Sequence, residues 1–203
     1  MTEFEKMISE QPYNSFDSSC KTRMEENRKK LYEYNNLPPE RWSEKKALIK
    51  NILGKTGKNV HIEPPFHCDY GIKIEVGENF YANYNLVVLD CAKVIIGNNV
   101  LIAPNVGIYT AGHPIDSEMR KHVEYGITIT IGNNVWIGGN VVILPGVHIG
   151  NGCVIGAGSV VTKDIPDNVV AFGNPCKVVR QITEEDKKYY FKKREISSDY
   201  GRK

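Results

Sequence analysis

The sequence predicts a mainly β solenoid with helices in front of it, and three observations support this prediction. A small or flexible residue often stands where a solenoid chain would turn a corner. Residues 1 to 55 are polar, have helical spacing and lack any short repeat. From residue 131 to 166 an aliphatic residue recurs every six positions, at Ile131, Ile137, Ile143, Ile149, Ile155 and Val161. A fixed short period indicates stacked repeats that share one core.

Two apolar stripes predict helices in residues 1–55. The first stripe consists of Leu31, Tyr34 and Leu37, and it stops at the helix-breaking pair Pro38-Pro39. The second stripe, which stops at Gly54, consists of Ala47, Leu48, Ile52 and Leu53. We expect these helices to cover the open end of the solenoid, because a terminal repeat needs a cap.

The solenoid itself is predicted for residues 56–182. Each hexad is interpreted as a short strand and a corner, and three hexads close one triangular coil. Successive coils then stack at roughly 4.8 Å, the spacing of neighbouring strands. The same register occurs earlier at Val76, Ala82 and Val88, and again at Ile96 and its followers. It slips by two residues between Val88 and Ile96, which predicts a short insertion in one turn.

The period fails altogether between Ile108 and Ile131, so residues 109–130 are predicted to leave the solenoid. A long interruption in a regular coil is more often functional than disordered. His113 opens this excursion between Gly112 and Pro114, two residues typical of a defined turn. His113 is therefore the first candidate for chemistry.

Composition narrows the class of protein. A net charge of +2 argues against a nucleic-acid partner, and no apolar stretch approaches the roughly 20 residues of a membrane span. The five cysteines contain no CxxC pair, which argues against a disulfide framework and a zinc ribbon. A cytoplasmic location is expected. Residues 183–203 are rich in lysine and are predicted to form a solvated C-terminal helix or tail.

Several motifs resemble one family closely. They are Asp69-Tyr70-Gly71, Phe80-Tyr81-Ala82-Asn83, Ile102-Ala103-Pro104-Asn105, Tyr109 to Pro114, Ile131 to Gly138, Gly156 to Asp164, and Gly173-Asn174-Pro175. Together they resemble the maltose and galactoside O-acetyltransferases among the hexapeptide-repeat acyltransferases. The resemblance spans nearly the whole chain. It implies a left-handed parallel β-helix, acetyl-CoA as co-substrate, no metal, and a homotrimer with sites at subunit interfaces.

The resemblance makes His113 the catalytic general base and Asn83 a catalytic neighbour. An imidazole, with an ordinary pKa of about 6.5, can take a proton from a sugar hydroxyl at neutral pH. The group that orients the base is either a backbone carbonyl or Glu124. A competing interpretation of Asn83 is a corner residue chosen for its tolerance of a left-handed φ.

Three residues match the family's contacts to the acceptor sugar: Asp17, Asp69 and Asn83. Carboxylates suit sugars because each accepts several hydroxyl hydrogen bonds. The galactoside branch has an acidic residue where this chain has Cys91, and serine where it has Asp69. Both differences favour a maltose- or glucose-type acceptor over a galactoside.

Six residues match the family's contacts to coenzyme A, and Trp136 is a seventh candidate, whose expected partner is coenzyme A, the acceptor or the adjacent subunit. Small residues at Gly139 and Ala157 would let the pantetheine arm lie close to the backbone, and Trp136 would be exposed on a bare coil. The matches to the adenine and phosphate end are Thr162, Lys163, Lys177 and Arg180. Cations beside phosphates are favourable electrostatically.

Three other functions compete with a sugar acetyltransferase. The nearest is an acetyltransferase of the same fold that acts on an antibiotic or an amino sugar. A zinc hydratase would need three histidine ligands, and His61 and His67 are spaced to share neighbouring sides of a coil. The last is a non-catalytic solenoid that serves as a scaffold.

Overall fold

The computed structural model describes residues 1–197 and 200, and its N-terminal part forms three helices. They are α1 (Glu3–Ile8), α2 (Ser18–Asn36) and α3 (Trp42–Ile52). Leu31 and Tyr34 of α2 are buried, as the first stripe predicts. The second stripe is confirmed at Ile52 and Leu53, which are buried, but Ala47 is exposed, and α3 also buries Lys45 and Ile49. None of these helices is long and apolar enough to cross a membrane within the described part of the chain.

The rest of the chain winds into a prism with three sheets as its faces. The first face contains β1 (Lys55–Thr56), β4 (Ile74–Val76), β7 (Val94–Ile96), β12 (Ile129–Ile131) and β15 (His148–Ile149). The second face contains β2 (Val60–Ile62), β5 (Phe80–Ala82), β8 (Leu101–Ile102), β13 (Trp136–Ile137), β16 (Val154–Ile155), β18 (Val169–Phe172) and β19 (Lys177–Gln181). The third face contains β3 (Phe66–Cys68), β6 (Leu86–Leu89), β9 (Gly107–Tyr109), β14 (Val142–Ile143) and β17 (Val160–Val161).

Strands of successive coils pair in parallel, and the hexad aliphatics fill the interior. Ile137 pairs with Ile102 in one neighbouring coil and with Ile155 in the other, and all three are buried. Tyr34, Ile49 and other residues of α2 and α3 join the same core cluster. The helices therefore close one end of the prism, where the first coil would otherwise expose its apolar interior.

Insertions in the repeat collect at the edge where the third face meets the first, here named edge 3–1. At a regular corner on this edge the inward positions are four apart, as from Ile143 to Val147. The interval is six residues from Cys68 to Ile74, and again from Val88 to Val94. It is 21 residues from Ile108 to Ile129, across the excursion. Three consecutive corners on one edge thus carry extra residues that the core does not need.

The edge between the second and third faces, here named edge 2–3, is more regular. Its corners use asparagine in the left-handed region, with φ of 62° at Asn85, 60° at Asn105 and 58° at Asn140. Asn85 Nδ2 donates to Asn105 Oδ1 at 2.9 Å, so the corners also stack through their side chains. Asn83 lies on this edge after β5, but it is not among the residues with positive φ.

The C-terminal segment forms more structure than a solvated tail. After β19, which pairs antiparallel with β18, a 3₁₀ turn (Glu184–Lys187) leads into a hairpin of β20 (Tyr189–Phe191) and β21 (Arg194–Glu195). Arg180 and Asp186 join the turn to the last coil strand through two hydrogen bonds of 2.7 and 2.8 Å. Within the described residues the segment is therefore a turn and a hairpin, without an α-helix.

Candidate active site

A cleft of about 440 Å³ lies on edge 3–1, between the inserted corners, the excursion and α2. The excursion contributes Ala111, His113 and Glu124, and the inserted corners contribute Asp69, Leu89 and Cys91. The N-terminal region contributes Ser15, Phe16, Lys21, Met24, Glu25 and Arg28. The insertions that interrupt the repeat are thus the parts of the solenoid that wall this cleft.

The excursion is a β-ribbon that presents His113 at its start. Its strands β10 (Ala111–Gly112) and β11 (Tyr125–Gly126) pair antiparallel, and His113 follows β10 directly. A side chain at residue 112 would place its Cβ about 2.5 Å from the ring of Tyr125, so this ring keeps its position only beside Gly112. The His113 side chain is 52% exposed, and no hydrogen bond from the described residues holds its ring. It is therefore open to a partner in the cleft.

Glu124 is the carboxylate nearest to His113, with its Oε2 3.8 Å from His113 Nε2. The side chain of Glu124 is only 16% exposed. Its other oxygen, Oε1, accepts a hydrogen bond from the hydroxyl of Tyr13. The sequence left open whether a backbone carbonyl or Glu124 orients His113. The Glu124 carboxylate lies close enough to the imidazole to be a candidate for this role.

Asp69 forms the acidic wall of the cleft. Burial, and next the negative charge of Glu124, raise the pKa of Asp69 to about 6. The charge of Arg28 and a contact with the Cys91 thiol, 3.8 Å from Asp69 Oδ2, act in the opposite direction. At neutral pH Asp69 is therefore mainly ionised and can accept hydrogen bonds from hydroxyl groups.

Asp90 holds the backbone of the Asp69 corner from the coil below. Its Oδ1 accepts from the N–H groups of Asp69 and Tyr70, both at 2.9 Å, while its Oδ2 is buried without a partner. Burial, opposed by those hydrogen bonds and reinforced by the charge of Asp69, raises the pKa of Asp90 to about 6. Asp90 is completely buried, so it supports the cleft without facing an acceptor.

Cys91 is a buried thiol between two carboxylates. Its Sγ lies 3.8 Å from Asp69 Oδ2 and 4.0 Å from Glu124 Oε1. Burial raises the pKa of Cys91 to about 12, so the thiol is neutral at physiological pH. Its carbonyl accepts from the buried ammonium of Lys73, which fixes this corner from the neighbouring coil. At Cys91 the wall of the cleft is therefore a neutral thiol that donates only weakly. A carboxylate at this position would be repelled by Asp69 and Glu124.

Of the residues predicted to bind the acceptor, Asp69 lines the cleft together with His113, whereas Asp17 and Asn83 are not among its lining residues. Asp17 is the N-cap of α2, and its side chain accepts from the Ser19 N–H at 2.8 Å. Asn83 lies across the third face on edge 2–3, where its Oδ1 accepts from the Tyr84 N–H at 2.8 Å. Because Asn83 lacks a left-handed φ, the corner interpretation of this residue is wrong.

The residues predicted to bind coenzyme A divide among three parts of the prism. Gly139 and Ala157 lie on edge 2–3, and Thr162 and Lys163 follow β17 on edge 3–1. The remaining three lie on the second face, where Trp136 is 54% exposed and Lys177 and Arg180 are also exposed. Trp136 and Arg180 line a groove of about 530 Å³ beneath the C-terminal hairpin, although Asp186 already pairs with Arg180.

Several cleft residues were missed in the sequence. Lys21, Met24 and Arg28 line the cleft from one side of α2. Their spacing of three and four residues, which places them on one side of a helix, is a signal present in the sequence. Tyr13 and Lys73, which support the cleft without lining it, gave no such signal. Tyr13 contacts Glu124 across 111 positions, and Lys73 contacts Cys91 across 18.

The histidines that a zinc site would need do not lie near one another. His61 lies on the second face, where it pairs with Glu63 at 2.9 Å and stacks on Tyr81. His67 is exposed on the third face and His113 lies on edge 3–1. In residues 1–197 and 200, no three side chains of the types that bind metals are grouped suitably for an ion.

Two family models match the chain. The six-repeat bacterial transferase hexapeptide model matches residues 128–163, and the maltose acetyltransferase hexapeptide capping motif matches residues 6–57. The chain is 53% identical to the galactoside O-acetyltransferase of Escherichia coli (strain K12) over 169 residues, and this aligned region covers 83% of each protein.

Solved structures show the same architecture. The maltose O-acetyltransferase from Clostridium difficile 630 superposes with a TM-score of 0.89 at 49% sequence identity. The match covers 91% of this chain and 99% of that one. A galactoside acetyltransferase in complex with coenzyme A has a TM-score of 0.94 at 46% identity, covering 98% of this chain and 100% of that one.

The fold and these matches define the class as a hexapeptide-repeat acetyltransferase with a left-handed parallel β-helix. Within this class, the chain belongs to the family of maltose and galactoside O-acetyltransferases. The predictions of family, fold class and acetyltransferase activity are thereby confirmed. The roles of individual residues remain predictions.

Proposed function

We propose that this protein transfers an acetyl group from acetyl-CoA to a hydroxyl of a maltose- or glucose-type sugar, with His113 as the general base. The observation that carries this proposal is the shared cleft of His113, Glu124 and Asp69 on edge 3–1. A base, a carboxylate beside it and a second carboxylate for hydroxyl groups are the parts that acyl transfer to a sugar requires.

In the proposed reaction, His113 takes the proton of the acceptor hydroxyl as its oxygen attacks the acetyl carbon. Acetyl-CoA supplies the thioester, whose C–S bond breaks as the new ester C–O bond forms. The charged imidazole then gives the proton to the leaving sulfur, so that no net proton is released. Glu124, with Oε2 3.8 Å from His113 Nε2, favours the charged imidazole in between.

The acceptor preference rests on the wall formed by Asp69 and Cys91. The ionised carboxylate of Asp69 can accept hydrogen bonds from two sugar hydroxyls, whereas the neutral thiol of Cys91 accepts only weakly. A second carboxylate, which the galactoside branch carries at the position of Cys91, is missing. This difference supports a maltose- or glucose-type acceptor.

The residues on edge 2–3 fit the arm of coenzyme A. Ala157 and Gly158 are exposed at a corner where a Cβ on Gly158 would meet no atom within 4 Å. Trp136, which pairs with Val154 in the strand before this corner, has an exposed ring, and Lys177 is exposed at the same end of the prism. This open edge with a nearby ring and cation suits a flexible chain that ends in phosphates.

We further propose that the active unit is a homotrimer, with each site formed by two subunits. In one chain the third face separates Asn83, Gly139 and Ala157 on edge 2–3 from His113 and Asp69 on edge 3–1. Acetyl transfer needs the thioester and the base within contact distance. Edge 2–3 of one subunit placed against edge 3–1 of the next would satisfy this need, and a cyclic trimer repeats that contact three times.

The five buried, free cysteines are consistent with a cytoplasmic location.

A thiol-release assay with acetyl-CoA tests the proposal. The acceptors are maltose, glucose, isopropyl-thiogalactoside, glucosamine and chloramphenicol. We expect release with maltose or glucose, and His113→Ala should lower turnover by about 10² to 10⁴ while coenzyme A binding, measured by calorimetry, stays intact. Release only with glucosamine or chloramphenicol would move the protein to the alternative acceptor class. Turnover of His113→Ala close to that of the unmodified enzyme would refute the general base.

A further inference from the structure

Tyr13 connects the N-terminal region to the catalytic excursion. It lies in the extended segment between α1 and α2, yet it is completely buried. Its N–H donates to the carbonyl of Glu124 at 3.0 Å, and the N–H of Glu124 donates back to the carbonyl of Tyr13 at 3.0 Å. Glu10 adds a second tie, because its Oε1 accepts from the Thr128 N–H at 3.1 Å. The segment is thus bound to the part of the excursion that carries Glu124.

The phenol of Tyr13 contacts the same carboxylate that faces His113. Its hydroxyl donates to Glu124 Oε1, while Glu124 Oε2 is the oxygen 3.8 Å from His113 Nε2. Burial, followed by the neighbouring Cys91 and Glu124, raises the pKa of the Tyr13 phenol, which therefore stays protonated and remains a donor. One oxygen of Glu124 is held by Tyr13, and the other is left for the imidazole.

A glutamate side chain has three rotatable bonds, so its carboxylate needs an anchor to keep one orientation. The other polar side chains near this carboxylate are weak donors or lie beyond hydrogen-bond distance. Cys91 Sγ is 4.0 Å from Glu124 Oε1, and His113 is half exposed. In the described part of the chain, Tyr13 is therefore the strongest hydrogen-bond donor on Glu124.

We propose that Tyr13 is a positioning residue whose phenol holds Glu124 in the orientation that stabilises the charged form of His113. This inference rests on the proposed function, because it concerns the same base. It gives the N-terminal capping region a part in turnover in addition to closing the solenoid. Tyr13 itself does not contact the acceptor, since it is absent from the lining of the cleft.

A purely structural role for Tyr13 can be separated from this one. The buried ring and the two backbone hydrogen bonds survive in Tyr13→Phe, which removes only the hydroxyl. Tyr34→Phe is a matched control, because Tyr34 is also buried and its hydroxyl donates to the Ile62 carbonyl, far from edge 3–1. Both variants lose one buried hydrogen bond, but only one of them loses a contact to Glu124.

The test measures kcat and the KM values for maltose and acetyl-CoA in the thiol-release assay. We expect Tyr13→Phe to lower kcat about tenfold, the scale of one hydrogen bond to a charged group, and to change the KM for acetyl-CoA less than about twofold. Tyr34→Phe should retain the kcat of the unmodified enzyme. In a Glu124→Gln background, where no carboxylate faces His113, adding Tyr13→Phe should change kcat less than about twofold.

Three kinetic outcomes would overturn the inference: unchanged kcat in Tyr13→Phe, an equal loss in Tyr34→Phe, or an undiminished loss in the Glu124→Gln background. Crystal structures of the unmodified protein and of Tyr13→Phe supply a readout that needs no activity. The inference expects the Glu124 carboxylate to turn away from His113 in the variant, and an unmoved carboxylate contradicts it. If the unmodified enzyme acetylates no sugar, the proposed function fails while these crystal structures still decide the role of Tyr13.

Discussion

Asp90→Asn should stabilise the protein at neutral pH, because it replaces a buried carboxylate with an uncharged side chain of similar shape. The amide oxygen can still accept from the N–H groups of Asp69 and Tyr70, so the corner that presents Asp69 is retained. The gain arises because Oδ2 of Asp90 is buried without a hydrogen-bond partner. An ionised group in that position is unfavourable.

The magnitude follows from the pKa of Asp90. The carboxyl titrates at an ordinary value of 3.8 in the unfolded chain and at about 6 in the folded protein. The folded state therefore binds the proton more tightly, and stability falls as the pH rises from about 4 to about 6. At about 1.36 kcal/mol for each pH unit between the two values, the loss is about 3 kcal/mol above pH 7. Asp90→Asn escapes this loss.

The assay is urea unfolding of both proteins between pH 4 and pH 7.5 at one protein concentration. The advantage of Asp90→Asn in free energy of unfolding should grow by about 3 kcal/mol across that range. Asp164→Asn is the control, because Asp164 is exposed and also caps a corner N–H, that of His148 at 2.8 Å. An advantage that is independent of pH, or one that shrinks as the pH rises, would refute the reasoning.

Two further predictions concern the core and the corners. Ile143→Ala should lower the free energy of unfolding, measured in urea, by about 2 to 5 kcal/mol, because Ile143 is fully buried. Val142→Ala, on the outward side of the same strand, should lower it much less. Equal losses would contradict the inward register of Ile143. Asn79→Ala should lower the free energy of unfolding by about 1 kcal/mol, because residue 79 has a left-handed φ of 55° that alanine adopts at a cost. Asn83→Ala should keep its stability but release less thiol if Asn83 serves the acceptor. A thermal melt measures the first effect and the thiol-release assay measures the second.

The fold could be predicted almost completely from the sequence, and the physical reason is the repeat. An inward aliphatic every six residues leaves few ways to bury the apolar side chains, so Ile137, Ile143 and Ile149 were assigned to the interior correctly. The same periodicity located the insertion after Val88 and the excursion, because each one breaks the register. Helix α3 was less well predicted, since Lys45 is buried there beside an exposed Ala47, against the hydrophobicity of both.

The candidate site could be predicted only in part. Asp69 and His113 were recognised by resemblance, and the structure places them in one cleft. Asp17, which was also expected at the acceptor, forms the N-cap of α2, and its role at the acceptor remains a prediction. Tyr13 could not have been found, because 111 positions separate it from Glu124 and neither residue belongs to a repeat.

By itself the sequence determined the period, the three-sided coil and two of the three points where the coil is interrupted, because these depend on local spacing. Only the tertiary structure decided that the interruptions after Cys68, Val88 and Ile108 fall on one edge, where three corners stack into a cleft. It also decided that Tyr13 and Glu124 meet, and that Asp90 is buried beneath Asp69. Contacts of this kind depend on how distant segments pack, and no periodicity in the chain records them.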